Sequence, residues 1–175
     1  MTIRNDIPTI TTPRLTLRPF ASTDDIPLHR ILNEPKILQY FPRTDPPDME
    51  RMQGIVERQL IHWEEHNLGW WAVVPHGQSE LIGWNGLQYL PETDEVEVGY
   101  LLSRQFWGQG FATEGARASL DFGFTVLGLN QIIGLTHPEN TASQRVLEKC
   151  GLTYVEEKEY FGMKLFRYTL QRNGA

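Results

Sequence analysis

Only one of the 175 residues is a cysteine, Cys150. A lone thiol closes no internal disulfide and cannot by itself build a thiolate metal site. A reducing, cytoplasmic setting and no bound metal are therefore expected. Long apolar runs are missing too. The longest, Trp70–Val74, falls far short of the roughly 18 residues a membrane-spanning helix needs. Met1–Ile10 lacks the apolar centre of a secretion signal. Nor is there an excess of positive charge. Sixteen Lys and Arg stand against 22 Asp and Glu, for a net charge of −6 and a pI near 5.4. Such a chain repels phosphate backbones, so general nucleic-acid binding is not expected. Repeats and low-complexity segments are absent as well.

What remains is an ordinary globular composition, 40% hydrophobic and 22% charged. The length suits about one domain, expected to span residues 1–175. Arg14–Pro19 alternates Leu15 and Leu17 with Arg14, Thr16 and Arg18, the pattern of a half-buried strand. The cluster Ser22–Asp25 starts a helix carrying Leu28, Ile31 and Leu32, and Pro35 ends it. After the proline-rich Pro42–Pro47, a second helix presents Met52, Ile55, Val56, Leu60 and Trp63 on one face. Gly69–Val74 and Glu80–Leu90 read as strands around a turn at Gly77. Glu95–Leu102 is a fourth strand, with Glu95, Glu97 and Gly99 on one face and Val96, Val98 and Tyr100 on the other. A helix over Phe111–Leu127, a strand over Gln131–Thr136 and a helix over Thr141–Cys150 follow. Two strands, Leu152–Tyr160 and Lys164–Leu170, close the chain. The order predicts an α/β (α+β) fold with a mixed sheet of about seven strands and about four helices.

Ala112, Gly115, Ala116, Ser119 and Gly123 share one face of the long helix. Small residues there let the helix approach the sheet closely. In front of it, Gln105-x-x-Gly108-x-Gly110 connects a strand to a helix N-terminus. The first-turn N–H groups have no intrahelical partners and attract anions, and glycines leave them open to a phosphate. A plain glycine turn is the alternative. A dinucleotide fingerprint fits poorly, because Thr113 replaces the third glycine and Asn130 stands where the later acidic residue belongs.

The loop resembles the Gln/Arg-x-x-Gly-x-Gly/Ala loop of the Gcn5-related N-acetyltransferases (GNAT). Its flanks are similar to the Rim-type branch, which acetylates ribosomal proteins. These flanks are Thr12-x-Arg14-Leu15-x-Leu17-Arg18, Leu81-Ile82-Gly83, Glu97-Val98-Gly99-Tyr100, and Asn140-x-x-Ser143 with Val146-Leu147-Glu148-Lys149-Cys150-Gly151-Leu152. The resemblance covers about Thr12–Leu170. It implies a sheet splayed between the fourth and fifth predicted strands, with acetyl-CoA as acyl donor. It implies backbone contacts from Tyr100, Leu101 and Leu102 to the pantetheine. It implies a pyrophosphate cradle from Gln105, Trp107, Gly108, Gln109, Gly110, Phe111, Ala112 and Thr113. Asn140 and Ser143 would meet the cofactor as well, although Asn140 also suits an N-cap.

A primary amine must lose a proton before it attacks a thioester, so a general base is useful near neutral pH. Glu97 matches the family's strand glutamate and is the candidate base, with Glu95 its neighbour on the same face. Ser143 is the candidate acid for the departing thiolate. The family's usual tyrosine slot holds Leu147. His137, before Pro138, reads as structural, and Cys150 as core. The acceptor is expected to be a protein N-terminus or a small-molecule amine, shaped by residues near Lys36–Met52 and Tyr160–Met163. That region contains Tyr40, Phe41, Arg43, Asp45, Asp48 and Glu50. A homodimer is a reasonable expectation. A non-catalytic acyl-CoA sensor on the same fold is the competing reading.

Overall fold

The computed structural model describes residues 7–172. The chain order is β1 (Ile10–Thr11), β2 (Leu15–Arg18), α1 (Asp25–Leu32), α2 (Met49–His66), β3 (Trp70–Pro75), β4 (Gly83–Leu90) and β5 (Glu95–Leu102). A 3-10 turn (Arg104–Phe106) then leads to α3 (Phe111–Thr125), β6 (Gln131–Thr136), α4 (Thr141–Lys149), β7 (Thr153–Tyr160) and β8 (Met163–Gln171). The strands form one sheet in the order β1-β2-β3-β4-β5-β6-β8-β7. Among the described residues no helix is long and apolar enough to cross a membrane.

The sheet has eight strands where about seven are expected. The extra strand, β1, has two residues and pairs with β2, too short to leave a period-two signal. Its turn is held by Thr12, whose hydroxyl accepts from the Leu15 amide at 3.0 Å. β4 starts at Gly83, later than the pattern suggests. A Cβ on Gly83 would lie 2.0 Å from the Leu101 carbonyl oxygen, so the chain crosses there only as glycine.

All strand pairs are antiparallel except β5 with β6. Those two lie parallel and share one register position, Glu97 opposite Ile133. Beyond it they diverge, which is the expected splay. Helices cover both faces. α3 and α4 pack over Leu15, Trp71, Leu87, Val98 and Ile132. α1 and α2 pack over Ala72, Val74, Trp84 and Leu101.

The small-residue face of α3 lies on the sheet. Gly115, Ala116, Ser119 and Gly123 are buried. A Cβ on Gly123 would come within 2.6 Å of Ile132 Cδ1, and one on Gly115 within 3.1 Å of the Asn85 amide group. Ser119 Oγ donates to Asn85 Oδ1, a buried polar tie beneath the helix. Phe122, on the same side, meets Trp63 and Trp71 edge-on at 6.0 and 5.2 Å.

Candidate active site

The phosphate-type loop follows β5 directly. Ser103 begins the 3-10 turn with its hydroxyl donating to Glu34 Oε1 at 2.6 Å, and the Arg104 amide donates to Glu34 Oε2 at 2.8 Å. Gln105 is exposed on that turn, and its carbonyl accepts from Gln109 Nε2 at 3.0 Å. Gly108 and Gly110 take left-handed φ values of 72° and 81°. Gly110 is the N-cap of α3, with no side chain to cap the helix. Among the described residues the amides of Phe111, Ala112 and Thr113 have no hydrogen-bond acceptor. They form a bare, partly positive helix end.

A clamp behind this loop was not readable from local pattern. Glu114, in the first turn of α3, accepts from the Thr12 hydroxyl at 2.6 Å, the Arg14 amide at 2.8 Å and Arg14 Nε at 2.6 Å. These bonds outweigh burial and hold its carboxyl below the usual range. Arg14 Nη1 donates to the Gln109 carbonyl at 2.8 Å, and the guanidinium lies 4.6 Å over the Phe111 ring. The Thr12-x-Arg14 pattern therefore fixes the loop's shape, with one of its carbonyls tied away from the helix end. A groove of about 850 Å³ runs from Gly110 and Thr113 along the outward side of α3 towards Asp121 and Val126, with Arg117 and Lys149 in its wall.

Trp107, half exposed, donates its indole N–H to the Leu102 carbonyl at 2.7 Å, and Arg104 lies 5.5 Å over its ring. Tyr100, Leu101 and Leu102 lie on β5 past the last position shared with β6. Leu101 joins the α1/α2 core and Leu102 the α3/α4 core. The Tyr100 hydroxyl is 3.0 Å from Ser143 Oγ and 3.2 Å from the Ser143 carbonyl. Burial lifts the Tyr100 phenol above its ordinary value, so both hydroxyls stay neutral near pH 7. Asn140 is the N-cap of α4, its Oδ1 accepting from the Ser143 amide at 3.1 Å. Leu147 is buried beneath Gly134 and takes no part in the cleft surface.

Glu97 and Glu95 lie on the α1/α2 face, as alternation requires, yet their environments differ. Glu95 accepts from Tyr160 Oη at 2.7 Å and from Arg167 Nε and Nη2 at 3.1 and 2.6 Å. Burial alone would raise its pKa, but these donors hold the carboxyl below its ordinary range. Glu97 has no hydrogen bond or ion pair among the described residues, and burial pushes its carboxyl up to about 8. Two neighbouring carboxylates thus split into a permanent anion and a group poised to exchange a proton near neutrality.

The connection between α1 and α2 bridges the mouth of the splay. Glu34 ties it to the end of β5. Tyr40 stacks on His137, at the end of β6, with ring centroids 5.2 Å apart. His137 Nδ1 accepts from the Glu139 amide at 3.1 Å, which fits its expected structural role. Cys150 is half-buried, with Sγ 3.7 Å from the Thr113 carbonyl, and burial raises its thiol to about 11. It stays protonated and is no nucleophile at neutral pH.

Comparison with known proteins identifies the family. The model of the acetyltransferase (GNAT) domain family matches residues 14–153. Over 139 residues the chain is 34% identical to FsC-acetyl coenzyme A-N(2)-transacetylase of Aspergillus fumigatus. That match covers 79% of this chain and 51% of the fungal protein, so the chain spans about half that relative's length. The acetyltransferase of Agrobacterium tumefaciens superposes with a TM-score of 0.84 at 27% identity, covering 98% of each chain. RimL, the ribosomal L7/L12 alpha-N-protein acetyltransferase in complex with coenzyme A, has the same fold. Its TM-score is 0.82 at 17% identity, over 96% of this chain and all of that one. This chain belongs to the GNAT family of acetyltransferases.

Proposed function

We propose that the protein is an acetyl-CoA-dependent N-acetyltransferase acting on a primary amine by direct attack. The observation that carries this reading is the partnerless Glu97 carboxyl at the single position where β5 meets β6. An unpaired, half-buried carboxyl is costly to keep ionised, and a base for an incoming ammonium gives it a use.

The residues present fit the donor. The bare amides of Phe111, Ala112 and Thr113, opened by Gly108 and Gly110, would hold the pyrophosphate. Gln105, Trp107 and Gln109 would shape the loop around it. Tyr100–Leu102 would offer backbone to the pantetheine in the manner of an added strand. Asn140 keeps its Nδ2 available while Oδ1 caps α4, so one side chain can serve both roles. When bound, acetyl-CoA supplies an acetyl group activated as a thioester.

The chain's own residues then handle protons. Glu97, ionised, takes one proton from the acceptor ammonium. The neutral nitrogen forms the new C–N bond as the C–S bond breaks, and it sheds its second proton to solvent. Ser143 Oγ would protonate the leaving sulfur, and the Tyr100 hydroxyl, 3.0 Å away, would relay a replacement proton from solvent. A base near 8 is matched to α-amines, whose pKa is about 8, better than to alkylamines near 10.4.

Calorimetric titration with acetyl-CoA, with NAD⁺ and NADP⁺ as controls, tests the donor. Thiol release with an amine panel separates an enzyme from a sensor. Micromolar acetyl-CoA binding with amine-dependent release is expected. Binding without turnover on any amine would favour the sensor.

A further inference from the structure

We propose that Thr136 is a third hydroxyl at the leaving group, donating a hydrogen bond to the thioester sulfur as its bond to the acetyl carbon breaks. This role rests on the acetyltransferase reading above and adds a residue to its leaving-group side.

Thr136 ends β6 and is only 4% exposed. Its Oγ1 is buried and has no hydrogen-bond partner among the described residues. A buried hydroxyl left unpaired is costly, because in the unfolded chain water satisfies it. The other side-chain atoms in that condition are Asn85 Nδ2 on β4, Thr93 Oγ1 in the turn before β5 and Thr169 Oγ1 on β8. None of these stands on β5 or β6, the two lips of the splay. Thr136 does.

Register places this hydroxyl. β5 and β6 run parallel with Glu97 opposite Ile133. Three residues further on, each strand carries a hydroxyl, Tyr100 on β5 and Thr136 on β6. An odd step reverses the face, so both lie on the face opposite Glu97. That face is the one beneath α3 and α4. Ile132, four residues before Thr136, belongs to that core, and a Cβ on Gly134 would come within 2.5 Å of Leu147 on α4. After Thr136 the chain turns back at once. The Asn140 amide donates to the His137 carbonyl at 2.9 Å, and Gln144 Nε2 donates to the Pro138 carbonyl at 2.8 Å. This turn lays α4 over the end of β6 and presents Ser143, whose Oγ is 3.0 Å from the Tyr100 hydroxyl. Three hydroxyls thus border the gap, from β5, β6 and α4. Tyr100 and Ser143 engage each other, while Thr136 keeps its O–H free.

A thioester held in the gap has Glu97 on one face and these hydroxyls on the other. The amine and its base act from the first face, and the sulfur departs towards the second. As the C–S bond breaks, its electron pair passes to sulfur. Thr136 donates a hydrogen bond to that sulfur and keeps its own proton. The proton that ends on sulfur is the one given by Ser143. A hydrogen bond to a charged acceptor is roughly twice as strong as one to a neutral acceptor. The contact therefore favours the departing thiolate over the bound thioester, and it acts on the rate rather than on cofactor binding.

The test compares wild type, Thr136→Val and Thr136→Ser in single-turnover acetyl transfer to leucinamide, or to the fastest amine of the panel. Acetyl-CoA binding is followed by calorimetry, and the free proteins are melted. Valine keeps the shape and removes the hydroxyl. Thr136→Val is expected to slow transfer about 10- to 100-fold, the loss of a hydrogen bond to a charged group. Its Kd for acetyl-CoA should stay within about threefold of wild type. Its Tm should be no lower than that of wild type, since an unpaired buried hydroxyl is gone. Thr136→Ser returns the hydroxyl and should transfer within about threefold of wild type. Wild-type transfer by Thr136→Val overturns the proposal and leaves the acetyltransferase reading standing. A Tm that falls together with the rate also overturns it, because that hydroxyl would then have a partner within the protein. Acetyl-CoA binding by wild type with no transfer to any amine of the panel overturns both.

Discussion

Replacing Glu97 by Gln removes a charge that the fold tolerates poorly. In the folded protein the carboxyl titrates at about 8, against an ordinary value of 4.5. The folded state therefore binds the proton more tightly than the unfolded chain. Stability contributed by this group is full below about pH 4.5 and declines as pH rises towards 8. Above 8 both states are ionised and the loss is complete. The rise from 4.5 to about 8, at about 1.4 kcal/mol for each factor of ten in proton affinity, sets a ceiling near 5 kcal/mol. Water reaching the half-buried side chain brings this to about 2–3 kcal/mol. Gln is nearly isosteric and does not ionise. In a protein of this size 1 kcal/mol moves Tm by about 2–4 °C. Glu97→Gln should therefore melt about 5–10 °C above wild type at pH 9 and level with it at pH 4.5, within the span each state survives. Melting by intrinsic tryptophan fluorescence across that range reads the difference directly. A constant offset, or one that shrinks as pH rises, would refute a half-buried, partnerless carboxyl at this position.

Other expectations follow from the same geometry. Arg14→Ala should release the Gln109 carbonyl and weaken acetyl-CoA binding about tenfold, the loss of a charged hydrogen bond. Its kcat should stay within about threefold, and an equal fall in kcat would speak against a clamp that acts only on the loop. Ser143→Ala should lower kcat about 10- to 100-fold with KM for acetyl-CoA unchanged, and wild-type kcat would end its role as acid. Gly134→Ala would bring a Cβ to 2.5 and 3.0 Å from the Leu147 methyls. It should cost about 1–3 kcal/mol by thermal or urea melting. Combined with Leu147→Val the loss should be less than the sum of the two single losses, since the residues touch.

Much of this site can be read in the sequence because its signals are local. The glycines of the loop, the alternation that puts Glu97 opposite Tyr100, and the Asn140 cap each lie within a few consecutive residues. The small-residue face of α3 is equally legible, since helical spacing brings those positions together. What is not legible depends on distant partners. Arg14 and Glu114 are 100 residues apart, Ser103 and Glu34 are 69, and Arg167 and Glu95 are 72. No spacing rule connects them. The difference between Glu95 and Glu97 is also invisible locally, because both are glutamates on one strand face. It emerges only when β8 brings Arg167, and the end of β7 brings Tyr160, to one of them. Strand β1 escapes for another reason: two residues carry no period.

The most direct test of the account is the pH profile of kcat/KM for leucinamide, measured by thiol release for wild type and Glu97→Gln. The account predicts a wild-type profile that rises through about pH 8 and a variant about 10²- to 10⁴-fold slower that lacks the rise attributable to this carboxyl. Wild-type rates and an unchanged profile in Glu97→Gln would contradict it.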